Sequence, residues 1–203
     1  MRRSELLRAL ERIPPFAHPD AALEQVITPS EAAATLLASA DRFDGISGRS
    51  VLDLGCGTGR LAIGAALLGA SPVLGIDVDE GAIDRARSAA ADAGVAVEFE
   101  VAEVAATSGR ADLVVMNPPF GAQSPHADRP FWDRALALAK RSVYAFSLSE
   151  SRTFIARRAV ERGAQVLAVE PVPWALPRTF PHHARRRVPL DVDLWALRTE
   201  PDP

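Results

Sequence analysis

From residue 50 onward, short apolar runs alternate with longer stretches of mixed character. Runs at 51–54, 73–76, 95–101, 113–116, 143–148 and 166–169 have strand length and are rich in Val, Leu and Ile. Between them, 59–69, 79–93, 130–140 and 150–162 carry helical spacing. Strand–helix alternation predicts right-handed crossovers, and so a mostly parallel α/β sheet covered on both faces. The tail departs from this. Residues 187–197 alternate Val188, Leu190, Val192 and Leu194, and only a Pro-rich loop separates them from the preceding run. A hairpin there adds an antiparallel strand to the sheet.

Upstream, Leu6, Leu7 and Leu10 share one face of a helix over 4–12, which Ile13-Pro14-Pro15 stops. A second helix is expected after Thr28. Thr28 has the character of an N-cap, with Pro29 at the first helical position and Glu31 closing a capping box. Ala33, Leu36, Leu37 and Ala40 give that helix its apolar face. The expected organisation is a single domain. Residues 1–48 form an N-terminal helical extension packing on the cofactor site, and 49–203 form the α/β domain.

Composition narrows the class. A chain of 203 residues, 48% hydrophobic and 24% charged, has the make-up of a globular protein with a sizeable core. A lone cysteine, Cys56, excludes an internal disulfide framework and a cysteine-rich zinc site. A reducing, cytoplasmic setting is therefore the expectation. No apolar run approaches the ~20 residues of a membrane span, and the basic N-terminus is not followed by a signal-peptide core. The net charge of −3 means that nucleic-acid binding requires a local basic patch or a partner. His126 and His183 are not spaced as metal ligands, and no metal is assigned.

Two stretches carry chemistry. In the first, Val51-Leu52-Asp53-Leu54 runs into Gly55-Cys56-Gly57-Thr58-Gly59, and a helix follows. Glycines there let the backbone approach a ligand at the carboxyl end of a strand. The next strand, Val73-Leu74-Gly75-Ile76, ends in Asp77, an acid suited to accepting hydrogen bonds from both ribose hydroxyls. A nicotinamide enzyme also places an acid there, but its fingerprint needs G-x-G-x-x-G where this chain has G-x-G-x-G. The loop resembles the S-adenosylmethionine site of class I methyltransferases. That resemblance implies a Rossmann-like, seven-stranded, mostly parallel sheet with an antiparallel C-terminal strand. Cys56 has no adjacent His or Lys and reads as a packing residue.

In the second stretch, the apolar run Leu113-Val114-Val115-Met116 delivers Asn117-Pro118-Pro119-Phe120. This resembles the tetrad of amino-methyltransferases that act on adenine, cytosine or glutamine amides. An exocyclic amine is a poor nucleophile because its lone pair is delocalised into the ring. The Asn117 side-chain oxygen and the Pro118 carbonyl can accept its two hydrogens and turn lone-pair density toward a sulfonium methyl. Pro118 and Pro119 fix the backbone that presents these acceptors. Phe120 offers a flat face for stacking a base.

Further stretches fit one family. They are Leu23-Glu24-Gln25 with Thr28, Gly64-Ala65-Ala66-Leu67-Leu68-Gly69-Ala70, Gly75-Ile76-Asp77-Val78-Asp79, and Val143-Tyr144-Ala145-Phe146-Ser147. In the tail they are Leu176-Pro177, His183, Arg185-Arg186 and Val192-Asp193-Leu194. The chain resembles, over nearly its whole length, the methyltransferase-like protein 5 family, which has archaeal members. Its eukaryotic member makes N6-methyladenosine in small-subunit ribosomal RNA, as a heterodimer with a small zinc-binding activator of the Trm112 type. The resemblance puts Gln25 and Thr28 at the methionine end of S-adenosylmethionine. It puts Asp53, Gly55, Gly57, Thr58 and Arg60 in the loop, Asp77 at the ribose, and Glu103 and Val104 at the adenine ring. The family usually has Asp in place of Glu103, and the eukaryotic member has Cys in place of Thr58.

The resemblance also implies an RNA-facing basic stretch, here His183, Arg185, Arg186 and Arg187. Arginines there would grip phosphates, with affinity falling as salt rises. The bland alternative is a solvated hairpin turn. Residues 121–130 have loop composition and follow the tetrad directly, which suits closing over a splayed-out base. The run 95–101 is expected at a sheet edge, with Val95, Val97, Phe99 and Val101 on one face. Such an edge invites strand addition by a Trm112-type partner. Two other readings stay open. One is a glutamine-amide methyltransferase of a release factor, although that group has Tyr where this chain has Phe120 and a larger N-terminal domain. The other is a non-catalytic cofactor-binding factor of ribosome assembly.

Overall fold

The computed structural model describes residues 1–174 and 190–199. Two helices come first, α1 (Arg3–Glu11) and α2 (Ser30–Asp44). The alternating region then runs β1 (Val51–Leu54), α3 (Arg60–Leu67), β2 (Val73–Asp77), α4 (Glu80–Ala93), β3 (Glu98–Val101) and β4 (Ala111–Met116). It continues through α5 (Arg129–Leu138), β5 (Ala139–Leu148), α6 (Arg152–Glu161), β6 (Gln165–Val172) and β7 (Val192–Arg198). The seven strands form one sheet in the order β3-β2-β1-β4-β5-β7-β6. β7 is antiparallel to both of its neighbours, and the pairings among β1 to β5 are parallel. This is the α/β architecture that the alternation predicts, with the reversed strand at the C-terminal end of the chain.

The apolar runs lack alternation because both faces of the sheet are covered. Along β4, Leu113 and Val115 face one layer with Leu10, Leu37, Ile63 and Ile83 from α1, α2, α3 and α4. Val114 and Met116 face the other, with Trp132 of α5 and Ile155 of α6. The first helices are thus part of the main core. The apolar spacing of residues 4–12 and 33–40 exists because those faces pack on α3 and the sheet. β7 is buried on both faces because Val192, Leu194 and Ala196 enter one layer and Trp195 and Leu197 the other.

Several expected boundaries move for local reasons. β3 starts at Glu98 rather than at residue 95. Gly94 caps α4 in the left-handed region at φ 67°, and the Val95 N–H donates to the Ala90 carbonyl at 3.1 Å. That amide finishes the helix and is not available to a strand ladder. The edge stripe also changes. Phe99 turns inward over Gly75, while Val101 is 44% exposed. β5 begins at Ala139, inside the stretch expected to be helical, and is ten residues long.

The capping box expected at Thr28 is not present. Pro29 occupies the N-cap of α2, with φ −55° and ψ 138° and no side-chain cap bond. Glu31 pairs with Arg3 at 2.8 Å instead of reaching back along the backbone. The hydroxyl of Thr28 is engaged elsewhere, by the side chain of Asn117. Val188 and the start of the expected tail strand lie outside the described residues.

Candidate active site

The site forms where β1, β2 and β4 end. Leaving β1, the chain takes positive φ at Gly55 (69°) and Gly57 (54°), which an L side chain would adopt only with strain. Space is short as well. A Cβ on Gly55 would lie 2.8 Å from the Phe131 ring, and one on Gly57 would lie 2.7 Å from the Phe16 ring. β2 ends in Asp77, whose Oδ2 accepts from the Gly57 N–H at 2.8 Å and whose Oδ1 accepts from the Asp79 N–H at 3.0 Å. One carboxylate therefore fixes both the glycine loop and the turn into α4. Burial pushes its pKa up.

Three oxygens around this loop, Asp53 Oδ1, Thr58 Oγ1 and Asn117 Oδ1, are buried and without a hydrogen-bond partner, as is Arg60 Nε. All four residues line the same cleft, together with Gln25, Thr28, Gly55, Gly57, Asp77, Val104 and Pro119. Asp53 is 1% exposed, and only its Oδ2 is satisfied, by the Ala62 N–H at 2.9 Å. Burial pushes its pKa up to about 8, helped by the nearby Asp77. Buried polar atoms are ordinarily paired, so a convergent set of orphans around a cleft marks a place for a polar ligand. A group bearing an ammonium, a sulfonium and ribose hydroxyls matches this donor and acceptor set. The residues thus fit S-adenosylmethionine.

Asn117 is held from one side. Its Nδ2 donates to Thr28 Oγ1 at 3.0 Å, so Oδ1 faces the cleft. The neighbouring Phe120 is half-buried, its ring tilted at 57° against Trp174 with centroids 5.6 Å apart. Trp174 in turn meets Phe146 edge-on at 5.0 Å.

Some expected residues have other work. The Arg60 guanidinium donates to the carbonyls of Thr28 (2.6 Å) and Ile13 (2.9 Å), tying the N-terminal segment to the glycine loop. Desolvation lowers its pKa to about 10. Gln25 donates to Asp79 Oδ2 at 2.7 Å and accepts from the Asp20 N–H at 2.7 Å, while still lining the cleft. Glu103 is exposed and is not part of the cleft wall; Val104, beside it, is. Cys56 is buried against Gly75, and burial pushes its thiol pKa up, as befits a packing residue. His183, Arg185, Arg186 and Arg187 lie outside the described residues.

Phe16, Glu24, Val78 and Phe131 are among the residues of the cleft wall that sequence reasoning did not single out as site residues. Glu24 accepts hydrogen bonds from three backbone N–H groups just beyond the tetrad: Phe120 (2.8 Å), Gly121 (3.0 Å) and Gln123 (2.8 Å). Its place beside Gln25 in Leu23-Glu24-Gln25 was the available signal. Val78 follows Asp77 directly, and Phe131 lies ten residues beyond Gly121 with no local mark of its role.

The family model for ribosomal protein L11 methyltransferase (PrmA) matches residues 35–118, the segment from α2 through the Asn-Pro pair. The rRNA N(6)-adenosine-methyltransferase METTL5 of Danio rerio is 31% identical, covering 95% of this chain and 97% of that protein. The rRNA N(6)-adenosine-methyltransferase Mettl5 of Drosophila melanogaster is 32% identical over 92% of this chain and 91% of that protein. The chain belongs to the METTL5 family. Among solved structures, a candidate RNA methyltransferase from Pyrococcus horikoshii, PH1948, superposes with a TM-score of 0.90 at 35% identity, covering 98% of each chain. Residues of the loop after β1 and of the tetrad after β4 line one and the same cleft.

Proposed function

We propose that this METTL5-family chain is an S-adenosylmethionine-dependent methyltransferase that modifies the N6 amine of an adenosine in small-subunit ribosomal RNA. The observation that carries the reading is Asn117 Oδ1, a buried acceptor without a partner on the wall of a cleft that also holds Asp53 and Asp77. The bound cofactor supplies a methyl group on a positively charged sulfur. Asp77 would hold the ribose, and Asp53 and Thr58 the polar methionine end. Val78 and Val104 would flank the adenine ring, and Gln25 and Thr28 would close the cleft from the N-terminal side.

Asn117 Oδ1 and the Pro118 carbonyl would accept the two hydrogens of the target amine. Its lone pair then leaves conjugation with the ring and points into the cleft. Preorganised acceptors of this kind act where charge develops in the transition state, and they need no reorganisation at that moment. Phe120, backed by Trp174, would stack on the flipped base. The amine loses its surplus proton to water after transfer. Residues 1–48 serve as a helical extension that completes the cofactor site, and His183 and Arg185 to Arg187 as the phosphate grip.

We also propose that the chain works in the cytoplasm with a Trm112-type activator docked on β3. Supporting this, among the described residues β3 pairs with β2 alone, and Val101 on that edge is 44% exposed. Among the described residues, no helix is long and apolar enough to cross a membrane.

The test is tritium-methyl transfer to small-subunit rRNA, total tRNA and a release factor, with and without a Trm112-type protein, followed by nucleoside digestion. Labelled N6-methyladenosine in rRNA is expected. Label in the release factor would favour the glutamine-amide reading. Cofactor binding without any label, with the partner present, would favour the assembly-factor reading.

A further inference from the structure

We propose that Glu24 is a positioning residue: its carboxylate holds the loop leaving the tetrad in the conformation that faces Asn117 and Pro119 toward the cleft and sets Phe120 against Trp174. The inference rests on the methyl-transfer reading above and assigns to it a residue that touches no reacting atom.

Both oxygens are engaged. Oε2 accepts from the N–H groups of Phe120 at 2.8 Å and Gly121 at 3.0 Å, and Oε1 accepts from that of Gln123 at 2.8 Å. Three backbone donors converging on one carboxylate form an anion nest, and hydrogen bonds to an ionised acceptor are stronger than neutral ones. The loop needs this help. Residues 117–128 form no strand or helix, and the prolines of the tetrad donate no backbone hydrogen bonds.

Glu24 is itself held in an unfavourable backbone region, at φ 51°, where non-glycine residues are uncommon. Such a conformation persists where the surroundings over-determine it, and these outliers cluster at functional sites. The surroundings here are specific. The next residue, Gln25, is bonded to Asp79 beyond β2, and Thr28 is bonded to Asn117. Three residues of the short segment 24–28 therefore touch the cofactor side, the Asn117 amide and the loop that follows it. Sequence separations of 96 to 99 residues between Glu24 and its donors rule out a local turn motif as the reason for the contact.

A plain structural staple predicts a different outcome from a positioning residue. Removing a staple lowers stability and weakens every function together. Removing a positioning residue lowers turnover at saturating substrate and leaves the cofactor site intact.

The experiment uses the full chain with its activator and compares wild type, Glu24→Gln and Glu24→Asp. Hydrogen–deuterium exchange is read at Phe120, Gly121 and Gln123, with Leu113–Met116 as the internal control. In Glu24→Gln the three loop amides are expected to exchange at least tenfold faster, with β4 unchanged. Its kcat on RNA should fall at least tenfold, while the Kd for S-adenosylhomocysteine stays within threefold. Glu24→Asp, which keeps the charge, should recover part of the kcat and part of the protection. Unchanged loop exchange or unchanged kcat overturns the proposal. So does a loss of kcat, cofactor affinity and thermal stability in step, in both variants. Wild-type chain that methylates no RNA would overturn the function instead, and the exchange measurement, which needs no substrate, would still report on the Glu24 clamp.

Discussion

The Asn117 side-chain amide donates to the hydroxyl of Thr28, 89 residues earlier in the chain, across 3.0 Å. That one bond fixes which end of the amide faces the cleft. With Nδ2 committed to Thr28, Oδ1 is the atom presented to the cleft, and it is buried and unpartnered there. A residue that reads as a helix cap from its sequence neighbours therefore lines the cleft and orients Asn117.

Replacing Thr28 by Val keeps the shape and deletes the acceptor. Asn117 then loses the bond that fixes its orientation, and the amide can turn its NH2 toward the target amine. A positioning hydrogen bond is worth ~1 kcal/mol net, and more where a wrong rotamer competes, so a loss of about tenfold in kcat is expected. Thr28→Ser should stay near wild type. For Asn117→Ala, removal of the acceptor itself should cost about a hundredfold or more. Rates at saturating RNA and cofactor decide the point. A Thr28→Val enzyme with wild-type kcat would mean that packing alone orients Asn117.

Asp53 is expected to link cofactor binding to pH. Burial pushes its carboxyl up to about 8, so the free protein holds this proton at neutral pH. A cationic cofactor favours the ionised form and drives the proton off. Cofactor affinity is therefore expected to rise with pH through neutrality and to level off above about 8. Calorimetry in two buffers of different ionisation enthalpy reads the proton released at pH 7, with Asp53→Asn as the control. Equal proton release in the two proteins would remove Asp53 from this role.

The two halves of the site were legible because each is local. A strand leading into glycines, or into Asn117-Pro118-Pro119-Phe120, is written in consecutive residues. The parallel pairing of the first five strands follows from the same logic, since each apolar run buried on both faces needs a crossover between it and the next. What joins the halves was not legible. Glu24 reaches Phe120, Gln25 reaches Asp79, Arg60 reaches Ile13 and Thr28 reaches Asn117, all between segments far apart in sequence. Side-chain bonds of this sort carry no periodicity. Thr28 shows the hazard directly, because its neighbours Pro29 and Glu31 form a plausible cap signature that tertiary contacts override.

A stability prediction tests the core independently of the site. Asp44, at the end of α2, accepts from the Tyr144 hydroxyl at 2.5 Å and lies near Arg141 (3.4 Å) and Arg198 (3.3 Å). Its side chain is fully buried, so the charge depends on these partners. Asp44→Ala leaves the Tyr144 hydroxyl and Arg141 without their acceptor and Arg198 without its ion-pair partner, and should cost about 3–5 kcal/mol. Tyr144→Phe removes one bond of several and should cost about 1–2 kcal/mol. Urea midpoints with unchanged m-values check the order, and a Tyr144→Phe loss equal to that of Asp44→Ala would contradict it.

Trp174 is the remaining lever on the substrate side. Its ring supports Phe120 at 5.6 Å and rests on Phe146 at 5.0 Å, so it fixes the height and tilt of the surface on which a base would stack. Aromatic pairs of this geometry contribute about 0.5–1.5 kcal/mol beyond the area they bury. In Trp174→Ala, Phe120 keeps its chemistry and loses its backing, so the base platform sags into the space left behind. The RNA KM should rise about threefold to tenfold, in line with that energy, while the cofactor Kd stays put because Trp174 is absent from the cleft wall. Trp174→Phe should restore most of the affinity. A loss confined to kcat would place the effect on Asn117 instead, and a loss of cofactor affinity would mean that the aromatic row supports the glycine loop rather than the base.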